Sequence, residues 1–173
     1  MGTVPPMPDP TAADLTEQVR VLRALRCHVR DDERALAASR TAGLISARAA
    51  FAEHTRIGLL RADDHRLTQM IRRQAIEADA ALATRAEQLL VLVDEVLALE
   101  HEAITGDDPS MRRAMARQAE AEMLAEAEAL SQAIETARAT RRARAMRRGQ
   151  AAQAAPEATH GHDRASLRLI RTS

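Results

Sequence analysis

The chain has 173 residues, and its 25 basic side chains balance 25 carboxylates, so no whole-chain field draws it toward nucleic acid or an anionic membrane. Apolar residues reach 46%, but they are chiefly alanine and leucine with Phe51 as the sole aromatic, a composition that builds long helices and leaves almost nothing for strands or a thick core. Cys27 is the only cysteine, which excludes an internal disulfide, and with no apolar run of membrane-spanning length and no signal-peptide pattern a cytoplasmic protein is expected.

Residues 1–11 open with four prolines in the first ten, which hold the backbone extended and remove amide donors, so they are expected to form a disordered leader. Thr11 followed by Asp14 resembles a capping box, and helix is expected from residue 12. Leu15, Val19, Leu22, Leu25, Val29 and Leu36 then recur at steps of three, four and seven, the spacing of one helical face. The track weakens at Gly43 and again at Gly58, where a kink is expected. It returns strongly as Ala75, Ala78, Leu82, Leu89, Leu92, Val96 and Leu99.

"TGDDPS" ends this run. Gly106 suits the left-handed residue after a helix, Asp108 suits an N-cap, and Pro109 fits a first turn because it has no amide to lose. A turn at 105–110 this short predicts an antiparallel partner helix from Pro109 to about Arg148, seamed by Met123, Leu130 and Ile134. The fold class read from these elements is all-α, a long antiparallel helical hairpin or coiled coil over 12–148, followed by a flexible tail at 149–173. The first helix would run roughly 140 Å and the second roughly 60 Å. The second helix can then cover only about residues 66–104 at that rise per residue. The apolar track at 12–65 would protrude, fold back as a third helix, or await another chain.

Chemistry-bearing patterns are sparse. The only Glu-x-x-His spacing, Glu157 with His160, lies in the tail after Pro156 and reads as a solvated segment, so no metal is expected. Cys27 and His28 are neighbours pointing about 100° apart around a helix, which does not make a nucleophile and base pair. No glycine-rich phosphate loop is present, and neither a cofactor nor an enzymatic activity is expected. His101, between two glutamates near a helix end, reads as a C-terminal cation. The sharpest charge feature is "RATRRARAMRR", where the seam of the last helix passes from Ala137 into Arg141, Arg144 and Arg148. A cationic face there suits an acidic protein surface, with nucleic acid the less favoured ligand.

The stretch from Leu15 to Phe51, with Leu22, Arg23, Leu25, Arg26 and Arg30 at short intervals followed by "DDERAL" and an alanine and arginine periodicity, resembles the FliJ/YscO-type coiled-coil stalk proteins of type III secretion and flagellar export ATPases, including Hrp-cluster versions. The absence of lysine beside abundant alanine and arginine fits a GC-rich bacterial genome. The resemblance implies a non-enzymatic stalk in the centre of an ATPase ring, linked to the export gate and peripheral to a membrane-embedded apparatus. By position it assigns partner binding to Leu15, Leu22, Leu25, Val29, Arg141, Arg144 and Arg148, and the hairpin seam to Leu82, Leu89, Leu92, Val96, Leu99, Met123, Leu130 and Ile134. A self-associating helical scaffold or regulatory bundle, and an arginine-rich nucleic-acid binder, are the alternatives.

Overall fold

A computed structural model describes residues 14–106 and 108–154 of the chain. The proline-rich leader, the Thr11 half of the capping box and the tail beyond residue 154 lie outside them. Among the described residues the protein is all-α, with helices α1 (Leu15–Thr41), α2 (Ala47–Ala78), α3 (Ala83–Thr105) and α4 (Pro109–Ala154) and no strand. The run expected as one long first helix is therefore three helices.

Each break has a local cause. Asp14 starts α1, its carboxylate accepting from the Glu17 amide at 2.8 Å. Gly43 ends the helix at φ +65°, the left-handed conformation that a Cβ disfavours, so that Leu44 N–H donates to Ser39 O at 2.9 Å and Gly43 N–H to Arg40 O at 3.1 Å. Ser46 then caps α2 through its hydroxyl. This stop and start within five residues reverses the chain. Gly58, the other expected kink, lies inside α2 without a break. The second reversal was not anticipated: Asp79 turns extended, accepts from the Ala81 amide at 2.9 Å and opens a 3-10 turn at Ala80–Leu82 that leads into α3.

The third reversal falls inside the expected 105–110, by a slightly different device. Gly106 closes α3 at φ −91° and is not left-handed. Glycine is needed there because a Cβ would stand 2.6 Å from the Glu102 carbonyl oxygen. Asp108 accepts from the Met111 amide at 3.2 Å and the Ser110 hydroxyl at 2.9 Å, and Pro109 is the first residue of α4. That helix runs on through Gly149 to Ala154, past the expected start of the tail.

Cross-helix ion pairs set the directions. Asp32 and Glu33 of α1 meet Arg56 and Arg61 of α2, while Arg26 nearer the start of α1 meets Asp64, so these two helices are antiparallel. Arg72 meets Glu87 across the α2 and α3 turn. Arg85 meets Glu126 and Glu102 meets Arg112, so α3 and α4 are antiparallel too. Up to Ala137 the result is an up-down-up-down bundle. Its core joins Leu15, Val19, Leu22 and Leu25 with Leu67 and Ile71, with Leu89, Val93 and Val96, and with Met123, Leu130 and Ile134, one group from each helix. A smaller cluster of Val29, Leu36 and Ile57, flanked by Ile45, Ala50 and Leu60, holds α1 to α2 toward their shared turn. Residues 138–154, the rest of α4, form a separate unit.

Candidate functional site

The seven residues expected to bind a partner fall into two groups. Leu15, Leu22, Leu25 and Val29 are buried within the chain's own fold, the first three in the main core and Val29 in the smaller cluster. An apolar track that a two-helix hairpin would have left open is covered here by α2, α3 and α4, because the Gly43 and Asp79 turns bring them onto it. The expected seam is likewise shared among four helices: Leu89, Val96, Met123, Leu130 and Ile134 are buried, and Leu82, Leu92 and Leu99 half-buried.

Arg141, Arg144 and Arg148 are exposed on α4. With Arg138, Arg142 and Arg147 they place six cations within 138–148, and no carboxylate occurs between Glu135 and Glu157. Neutrality of the whole chain conceals this separation. Residues 14–137 carry 22 carboxylates against 16 arginines, a net charge of −6, while residues 138–154 carry six arginines and no acid. At an ionic strength where fields decay over about 8 Å, such a stretch acts as a local cationic surface whatever the total charge.

Two arginines that the sequence marked only as part of a repeating pattern do more in the structure. Arg26, its side chain 16% exposed, reaches Asp64 at 3.1 Å and the Thr68 hydroxyl at 3.1 Å on α2, and Asp94 at 2.9 Å on α3. Arg23 bonds Glu120 of α4 at 2.6 Å and also Glu100 of α3. Between them they tie α1 to all three other helices. The signal in the sequence was position: each directly follows a core residue or its neighbour, Leu22 and Leu25, at the border of the buried face.

Other reactive groups are placed as follows. The Cys27 thiol is pushed above its ordinary range, chiefly by burial and then by the Asp31 and Glu100 charges, and it lies 3.7 Å from the Asp31 carboxylate. Such a thiol stays protonated and is a weak nucleophile. His28 turns its Nδ1 to the Ala24 carbonyl at 2.7 Å, on the exposed side of α1. The imidazole of His101 is half-buried with its Nδ1 unpartnered among the described residues. No cluster of three or more potential metal ligands occurs among the described residues, and Glu157 and His160 lie outside them. No described helix is long and apolar enough to cross a membrane.

The fold and surface thus define a helical bundle with a cationic helical stretch at the end of α4. Comparison with protein-family models, with curated proteins and with solved structures returned no match for this chain.

Proposed function

We propose that the protein is a non-enzymatic helical interaction module whose arginine-rich stretch, Arg138–Arg148, engages an acidic protein surface, and that this partner is the ring of an export-type ATPase. What supports the reading is the uninterrupted cationic character of a helical stretch with six arginines, five of them exposed, and no acid. Arginine forks match carboxylates in two-point hydrogen bonds, so a regular helix bearing them recognises an array of Asp and Glu. The resemblance of residues 15–51 to the secretion stalk proteins supplies the ATPase as the partner to try first. In this reading the arginine stretch alone makes the contact, because Leu15, Leu22, Leu25 and Val29 are committed to the interior.

The test uses the full chain with the cognate export ATPase and with a variant carrying Arg141→Glu, Arg144→Glu and Arg148→Glu. Co-elution and stimulated ATP hydrolysis with the wild type, both lost in the variant, are expected. Equal hydrolysis with and without the chain, together with separate elution, would overturn the ATPase assignment. Tight, steeply salt-dependent binding to a DNA or RNA duplex in place of the ATPase would move the same arginines to a phosphate ligand.

A further inference from the structure

Phe51, the only aromatic side chain of the protein, is 75% exposed on α2, and Leu59, eight residues on and on the same helical face, is 66% exposed. Between them, Gly58 sits in the middle of the 32-residue helix, and beyond its own helical backbone and chain neighbours no described atom lies within 4 Å of where a Cβ would be. Glycine weakens a helix interior relative to alanine, and the surrounding fold leaves ample room for a side chain at this position. The absent side chain therefore accommodates nothing among the described residues. One stripe of α2 carries a large apolar knob, a gap and a second apolar knob, all facing outward.

We propose that this outer face of α2 is a self-association surface, on which a second copy of the chain packs antiparallel about a two-fold axis at Thr55. The argument for a second copy is that the features on the stripe are complementary under that one operation. A two-fold axis at residue 55 carries position 51 onto 59, so each Phe51 ring lies beside the partner's Leu59 and over the gap at the partner's Gly58. The same operation brings Arg48, which has no carboxylate partner among the described residues, toward the partner's Asp63. Among the described residues Asp63 pairs with the exposed Arg66 one turn along, at 3.1 Å. The axis relates the two knobs and sets each cation one residue from the partner's anion and each ring one residue from the partner's gap, as an isologous interface requires. Burial of Phe51 and Leu59 supplies the driving force, and the glycine lets the two helix backbones approach.

Sedimentation velocity on the full chain over a wide concentration range should show a reversible monomer–dimer equilibrium. Phe51→Glu should leave only monomer. Gly58→Leu, a substitution that favours helix and fills the gap, should keep or raise the thermal midpoint while weakening dimerisation more than tenfold. In a Cys27→Ser background, Thr55→Cys should form an interchain disulfide on mild oxidation, whereas Gln88→Cys, exposed on α3, should not. A chain that stays monomeric throughout, or a dimer indifferent to both Phe51→Glu and Gly58→Leu, would overturn the proposal.

Discussion

Arg26 illustrates how one side chain in this protein serves three helices. Its guanidinium bonds two carboxylates and a hydroxyl while largely covered, so removing it leaves Asp64 and Asp94 without their shared cation. Arg26→Ala should destabilise the protein by about 1.5–3 kcal/mol, the range for a charge-assisted hydrogen bond, measured by urea unfolding. An exposed control such as Arg117→Ala should change little. Asp108 is the second informative residue. The Met111 amide and the Ser110 hydroxyl bond its ionised form, which holds its carboxyl below the ordinary 3.8. A depressed folded pKa means the contribution is present above the unfolded value and is lost as pH falls through the folded one. The carboxyl carbon of Asp108 should accordingly titrate below 3.8 by NMR, and Asp108→Ala should flatten the acid limb of the stability curve. Cys27 works in the opposite sense. Its raised thiol contributes below its ordinary value of 9.0 and that contribution fades as pH rises further, so alkylation in the native state should be slow compared with the unfolded chain.

At the scale of elements, the turns decide the architecture. Gly43 can be replaced only by a residue forced to positive φ, so Gly43→Val should cost about 1–3 kcal/mol and lower the thermal midpoint. Within the helices, burial ranks the core. Leu22 and Leu89 are fully buried, and truncation of either to alanine should cost about 2–5 kcal/mol. Leu92 and Leu99 were placed on the seam by periodicity but are half-buried, so the same truncation should cost less at these two positions. On α1 the helical spacing coincides with the buried stripe, because a three- and four-residue rhythm survives whichever neighbour covers it, whereas on α3 the buried face runs through Leu90, Val93 and Leu97 beside Leu89 and Val96. The spacing was silent on the number of neighbours. Arg23 and Arg26 stayed unread for a related reason, since an arginine beside a core position looks the same whether it snorkels to water or bridges to another helix.

For the whole molecule, stability should be uneven. Residues 139–151 of α4 are exposed throughout, so that helix depends there on alanine and arginine propensity without a buried face, and isolated helices of that length are marginal in water. Hydrogen exchange should find weak protection over this stretch and protection near the global limit over Leu89–Val96. Trypsin should cleave within Arg138–Arg148 before any site between residues 15 and 137. A cationic helical stretch without a buried face, continuing from an acidic bundle, suits an acidic partner, where binding should raise its protection and weaken with added salt.

The sequence by itself determined the all-α class, the apolar stripe of α1, the reversal near Gly106 and the arginine cluster, because each follows from local propensity, period or charge. Whether residues 15–105 made one helix or three was settled elsewhere. At Gly43 the local signal was present but permissive, and "EADAALAT" carries neither glycine nor proline at the Asp79 turn. A straight helix through both sites would satisfy every local preference while leaving Leu15, Leu22 and Leu25, on the overhanging part, uncovered. Folding back buries them together, and that apolar burial, worth roughly 1.5–3 kcal/mol for each large side chain, outweighs the few hydrogen bonds surrendered at two turns.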